Sequence, residues 1–420
     1  MKKIVVLLSI VSGAFVVAGT PHMNLFTPYD RLMTPPINPC ACWQFYAGYE
    51  GVVNQRSFQA DEDEFGNSHC FRKRADVLQL FQDEQDLLAA LKGDEFTTEL
   101  AQLAQKFNID DDNGIEGLFV PCGTFDVNNF MFSSRWFLNY GFSVSAHLQV
   151  LSMKLKNVSW RPGAGNNLTG FDGNVTDDFV AAVEAAGDIN LYNWERHGIG
   201  DIAAIVWWEQ DFVQARPLLK NVNLGARAGL LLPTGKKADE NVMLGVPFGN
   251  GGGAGLLFGG TLEMNFCYNF MFGVDAELTY FFGKTYNRRI KTDPAQTDLV
   301  FLTRACALTE PGFLQHFTLY GRFDHVFKGA SAQVAYQYTK QQETKIYLAT
   351  NHFDGTIARR AESLEDWTTH SLVFSLDWDI CNSRHLPGWN PYVSVFYKHG
   401  FNGSRAVLFD TLGCLIAVDY

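Results

Sequence analysis

From Phe270 to Phe282 the chain alternates between two chemistries. Phe270, Phe272, Val274, Ala276, Leu278, Tyr280 and Phe282 form one set. Met271, Gly273, Asp275, Glu277, Thr279 and Phe281 form the other. Successive side chains of a strand point to opposite faces, so this segment has an apolar face and a face carrying two carboxylates; a helix would scatter both sets around its axis. The apolar face is longer than a half-buried soluble strand needs, and about 9–11 tilted residues suffice to cross a bilayer as β-structure. The alternation recurs to the C-terminus. It predicts an all-β fold, a transmembrane antiparallel β-barrel of about twelve strands in the outer membrane of a Gram-negative-type bacterium.

The expected strands are 43–54, 127–138, 142–158, 199–213, 221–233, 252–266, 270–283, 314–327, 331–343, 368–381, 390–399 and 405–420. Their connectors fall into short turns, such as 139–141, 267–269 and 328–330, and long loops at 55–126, 159–198, 234–251, 284–313 and 344–367. The two kinds largely alternate, as they do when short turns face the periplasm and long loops face outside. Two connectors blur the rule: 382–389 is long for a turn and 399–404 is short for an outer loop.

Residues 1–18 read as a signal peptide. Lys2 and Lys3 form the charged end, Ile4 to Val17 the apolar stretch, and Val16-Val17-Ala18 the cleavage site. Residues 19–42 then form a periplasmic N-terminal segment or plug, and 43–420 the barrel. The formal net charge of −12 disfavours nucleic acid and leaves outer-membrane lipid, the barrel-assembly machinery and a small-molecule solute as partners. No segment offers roughly 18 uninterrupted apolar residues for a helical span. Eight cysteines in an oxidising compartment permit bridges, and with them a disulfide-linked or homo-oligomeric assembly, without choosing a pairing. Cys40 and Cys42 are too close for an easy mutual bridge and have Cys70 or Cys122 as partners; Cys381 and Cys414 read as small hydrophobes in strands.

The lumen-facing set is read strand by strand. It comprises Arg135, His147, Arg227, Glu263, Asp275, Glu277, Arg322, Asp324, Asp377 and Asp379. In 371–380 Leu372, Phe374, Leu376, Trp378 and Ile380 point to lipid, while Ser371, Val373, Ser375, Asp377 and Asp379 point inward. In 142–158 the phase slips near Val150-Leu151. That places Ser143, Ser145 and His147 inward before a β-bulge, and Ser152, Lys154 and Lys156 inward after it. Residues 76–106 carry helical periodicity, divided near Gly93-Asp94, and 176–186 a shorter helix; both fall in long loops and suit a lid or plug. The last strand alternates through Leu412, Cys414, Ile416 and Val418 to the terminal Tyr420 and resembles the C-terminal signal for barrel assembly.

The middle of the chain carries a second likeness. His197-Gly198-Ile199-Gly200-Asp201 opens a strand, Leu232-Pro233-Thr234-Gly235-Lys236 closes the next, and a glycine run from Gly249 to Gly255 opens the one after. This order resembles outer-membrane channels of the phenol-degradation type and the related long-chain fatty-acid transporters. The resemblance covers about residues 197–266. It implies a diffusion channel for hydrophobic compounds with an N-terminal segment lodged in its lumen. Asn38-Pro39-Cys40 leading into Trp43 is similar, more loosely, to the disulfide-linked major porins.

Chemistry-bearing motifs are few. Asp110 to Gly114 lacks the ligand positions of a calcium loop, Gly249 to Gly253 lacks the Lys-Ser/Thr of a phosphate loop, and Cys40-Ala41-Cys42 has the wrong spacing for zinc. No cofactor or metal is implied, and no enzyme. Ser145 and His147 are neighbours on one face, without a third member for a hydrolase in sequence. The expected function is passive uptake of small solutes, hydrophobic ones by the resemblance. A structural or adhesive surface protein and a membrane-embedded hydrolase are the alternatives.

Overall fold

The structure, a computed structural model, describes residues 27–35, 41–60, 74–92, 96–107, 117–163, 173–266, 269–327, 329–380 and 390–420. Twelve strands close into one antiparallel barrel. They are β1 (Trp43–Phe58), β2 (Leu118–Phe137), β3 (Phe142–Pro162), β4 (Ile202–Val213), β5 (Leu219–Leu232), β6 (Gly255–Phe266), β7 (Phe270–Phe281), β8 (Leu314–Phe327), β9 (Ala330–Gln341), β10 (Trp367–Asp379), β11 (Asn390–Ser404) and β12 (Ala406–Asp419). Each pairs with its neighbours in chain order, and β12 returns to β1 from Gln44↔Asp419 to Phe58↔Ala406. Closure pairs the ring's backbone groups where no water could satisfy them. Every strand overlaps one expected from the alternation.

Two boundaries move. An outer piece, Trp194–Ile199, pairs with β3 before the chain breaks at Gly200-Asp201 and continues as β4. Strand β11 runs to Ser404, so the expected outer loop after residue 399 is strand, and Arg405, at φ +47°, turns the chain alone into β12. The 382–389 connector lies outside the described residues, as do the signal peptide, the Asp110–Gly114 segment, and Cys40, Cys70, Cys267 and Cys381.

The exterior is apolar: Phe45, Phe132, Val206, Leu230, Phe258, Leu278, Phe374 and Leu376 are exposed on the wall. Aromatic rings gather at both ends of it. Trp43 stacks on Trp136 at 6.1 Å on the short-turn side, and Tyr280 meets Phe282 and Phe313 at 5.3 Å each on the long-loop side. These are the two interfacial girdles of a spanning barrel.

The phase slip expected in β3 does not occur. Its buried set runs unbroken through Ser143, Ser145, His147, Gln149, Leu151, Met153 and Leu155. Ser152, Lys154 and Lys156 therefore face outward, with Lys154 paired to Glu195 at 2.6 Å and Lys156 to Asp126 at 2.7 Å. The physical reason is an inversion of environments. At this end the barrel interior is filled with protein, and its outer face stands above the apolar belt. The bulge lies further out, where Cys122 and Thr124 face a strand carrying Asn157 at φ +54°.

The filling is an apolar cap, and its first part replaces the expected helix over 76–106. The β1–β2 ladder ends at Gly51↔Asn128. Beyond it, residues 74–92 occupy the space between the two strands: Arg74 and Ala75 pair with β1, and Gln85 and Asp86 pair with β2. The Asp76 carboxylate accepts the Leu78 and Gly123 amides at 3.0 Å each. Leu78, Leu80, Leu87, Leu88 and Leu91 are all buried. Apolar surface is needed on every side here, so the chain takes two single 3-10 turns at Val77–Gln79 and Ala89–Leu91; only α1 (Thr97–Phe107) is a regular helix. Helix α2 (Gly173–Gly187) adds Phe179, Val180 and Val183 to the same core. Arg289, buried in the cap, donates to the Gly187 and Asp188 carbonyls at the end of α2, and to those of Glu240, Phe301 and Leu302, at 2.6–3.2 Å. A cation at a helix C-terminus suits the exposed carbonyl dipoles there. Beyond β7, β8 and β9 a small sheet of Lys284–Arg289, Arg304–Glu310 and Lys345–Leu348 continues outward.

Candidate functional site

Residues 27–35 cross the barrel interior. Asp30 caps the single turn Arg31–Met33 by accepting the Leu32 amide at 3.0 Å, and accepts the Gln337 amide nitrogen at 2.9 Å. Tyr29 lies edge-on to His147 and Trp207, at 5.0 and 5.2 Å. The Thr27 carbonyl accepts from Gln149, and Arg31 reaches Glu263 at 3.2 Å and Glu209 at 3.5 Å.

Around this segment the wall's charges are paired. Arg135 donates to Glu209 at 2.8 Å and to Ser143 at 2.9 Å, and lies over the Trp207 ring. Arg227 holds Asp275 through two bonds of 2.6 and 2.7 Å, and Glu277 at 2.8 Å. One guanidinium thus neutralises much of the carboxylate pair that the alternation places together. Tyr320 donates to Glu263 at 2.5 Å, Arg322 bonds Asp324 at 2.5 Å with Asp377 at 3.6 Å, and Ser394 donates to Asp377 at 2.7 Å. Asp379 lines the inner cavity described below. The structure places all these residues on the lumen side, because each lies in phase with its strand's inner face.

His147 sits in a buried polar knot. Its Nδ1 meets Tyr46 Oη and Ser133 Oγ at 3.0 Å each, and its Nε2 meets Ser145 Oγ at 2.8 Å. Ser145 also accepts the Trp207 indole N–H at 2.8 Å. No carboxylate orients the imidazole through these bonds, and the serine is buried, so the pair has the neighbours of a packed hydrogen-bond network and lacks the third member of a triad.

Residues of segment 27–35 line two separate cavities. On the short-turn side is a vestibule of about 690 Å³, where six carboxylates (Glu209, Asp211, Glu263, Asp324, Asp379 and Asp419) face Arg31 and Arg322. On the long-loop side is a cavity of about 110 Å³ reached by Thr27, Asp30 and Met33. Sequence reading missed Arg31, which sits in a segment without periodicity. It also missed Trp207, Glu209 and Asp211, which the period of two along β4 does mark.

The glycine-rich motifs meet at one carboxylate. Asp201 accepts the Gly235 amide at 2.9 Å and the Asn250 amide at 2.6 Å; Thr234 donates to the Gly200 carbonyl at 3.0 Å and accepts the Ile202 amide at 3.1 Å. A Cβ on Gly249 would lie 2.3 Å from Asp201 Cγ, so only glycine admits the approach. At the seam, Tyr420 donates its amide to the Trp43 carbonyl and accepts from the Cys42 and Trp43 amides. Leu412 and Ile416 face outward, Val418 is partly exposed, and the Tyr420 ring is exposed. Cys42, Cys122, Cys306 and Cys414 are free thiols, so the Cys42–Cys122 bridge among the options is not formed; Cys414 faces outward on β12.

A closed antiparallel wall, apolar outside and lined with paired charges, is a transmembrane β-barrel of the outer-membrane type. The chain is similar in barrel architecture to an outer membrane channel of Pseudomonas putida (11% identity over 92% of this chain and 99% of that one, TM-score 0.49). It is also similar to the toluene transporter TodX of Pseudomonas putida (8%, 96% and 96%, TM-score 0.31) and the toluene transporter TbuX of Ralstonia pickettii (9%, 95% and 91%, TM-score 0.32). No family model matches the chain, and no curated protein matches it.

Proposed function

We propose that the protein is an outer-membrane channel for passive uptake of small solutes, hydrophobic ones among them, with segment 27–35 as its plug. The observation that carries this reading is how that segment is held. Among the described residues it joins no strand ladder. Its polar links to the wall run through Thr27, Asp30, Arg31 and Thr34, with Tyr29, Leu32 and Met33 packed on the wall, and between them they separate the vestibule from the outer cavity. Side-chain bonds of this kind exchange with water and with solute at modest net cost, unlike a backbone ladder. Solute then moves down its gradient, and the charged wall sets selectivity. Residues 1–18 direct export, and the strand ending at Tyr420 engages the assembly machinery. Planar-bilayer recording tests the reading. The intact protein should conduct in brief openings and a variant lacking residues 19–35 steadily. Silence from both, with each still shifting on unheated gels as a folded barrel, would refute it.

A further inference from the structure

The outer cavity is chemically divided. Met33, Met131, Trp367 and Phe409 form an apolar side, and Glu50, Asn129 and Lys398 bring polar groups to the same space. Glu50 accepts the Thr411 hydroxyl at 2.6 Å. Among the described residues it forms no ion pair, and neither does Lys398, although both line one cavity. Asn129 is 1% exposed and lies beside Glu50, and among the described residues neither its amide oxygen nor its amide nitrogen has a partner in good hydrogen-bond geometry. Buried polar groups are ordinarily paired, and leaving one unmade is costly. An acid, a base and an amide held apart around one apolar hollow describe the outline of a ligand.

We infer that this cavity binds a small zwitterion with an apolar body, the class of the apolar amino acids, with its ammonium at Glu50 and its carboxylate at Lys398 and Asn129. A plain hydrocarbon would leave Asn129 and Lys398 without a partner and Glu50 with the Thr411 hydroxyl alone. An anion alone would bring its charge against Glu50, and a cation alone would do so against Lys398. The volume of about 110 Å³ is smaller than the roughly 150 Å³ cavity that holds benzene, which limits the apolar body to a few carbons, such as the branched three-carbon group of valine.

This inference names a substrate class for the proposed channel and rests on that reading for its place in uptake, while binding itself can be measured without it. The probes are valine, isobutylamine and isovalerate. The three share one branched carbon skeleton, from which the amine lacks the carboxylate and the acid lacks the ammonium. With the full-length barrel in detergent, titration calorimetry should show valine binding at least about tenfold more tightly than either, since each charge-assisted bond is worth that much. Lys398→Met should bring valine down to isobutylamine. Glu50→Gln should bring it down to isovalerate, and Asn129→Ala should weaken valine and isovalerate while leaving isobutylamine unchanged. Equal affinities for the three probes on the unaltered protein, or ratios that neither variant moves, would overturn the site. Proteoliposome swelling separates the two readings. Valine binding without swelling keeps the site and removes the channel, whereas swelling without preference for valine keeps the channel and removes the site.

Discussion

The guanidinium of Arg31 lies 3.2 Å from the carboxylate of Glu263, a residue 232 positions further along the chain. Through this bond and its approach to Glu209, segment 27–35 is tied to β6 and β4 at once. Each acid keeps another partner without it: Arg135 for Glu209 and Tyr320 for Glu263.

Arg31→Ala should therefore release the segment without unfolding the wall. Open probability in planar bilayers should rise several-fold, with the heat-modifiable gel shift retained. Unaltered gating would show that Arg31 does not hold a plug.

The two faces of the wall should differ sharply in tolerance. Leu376 is 68% exposed to lipid, whereas Ser331 lines the vestibule. Leu376→Arg should cost about 2–4 kcal/mol of barrel stability, as Arg does near a bilayer midplane, and Ser331→Arg far less. Refolding yields from urea into lipid vesicles compare them, and equal losses would contradict the assignment of faces.

Six carboxylates against two guanidiniums should make an open vestibule cation-preferring. Reversal potentials under a salt gradient should show this near 0.1 M salt and lose most of it near 1 M, as the screening length falls from about 10 to about 3 Å. Asp211→Asn and Asp379→Asn together should reduce it further. A clear anion preference at low salt would contradict the charge arrangement.

The outer loops carry their own pH dependence. Burial pushes the Asp298 carboxyl up to about 7, and burial also raises Glu362, whose amide donates to Asp298. A carboxyl raised in the folded state holds its proton there when the unfolded chain has lost it, so stability falls as pH rises from about 4 to about 7. Hydrogen-exchange protection around residues 296–302 and 358–364, taken relative to the intrinsic exchange rate at each pH, should be greater at pH 5 than at pH 8, and Asp298→Asn should flatten the difference. Protection that increases with pH would reverse the sign of this linkage.

The barrel was legible because one rule governs it. A wall with lipid outside and water or polar groups inside must alternate, and the chain does so from Phe272 to Tyr280. The rule fails where its premise fails. At the outer end of β3, Leu151 and Met153 face a protein-filled interior while Lys154 and Lys156 face water, and a period-two reading takes that reversal for a bulge. Leucines over 76–91 repeat at helical spacing, but they are buried on all sides, and packing there overrides local propensity. The inner charges of β5, β7, β8 and β10 could be read from phase. Arg31 could not, since no periodicity marks a segment whose only order comes from the lumen it crosses.

The meeting of Gly235 and Asn250 on the Asp201 carboxylate has a consequence for anyone recombining such barrels. The strand break, the turn closing β5 and the glycine run form one inheritable module, although more than thirty residues separate its first two parts. A chimera whose crossover falls within β4 or β5 would divide that module. It would then inherit either two amide donors with no acceptor or a carboxylate stranded without them. Crossovers placed before Gly200 or after Gly255 would carry it whole.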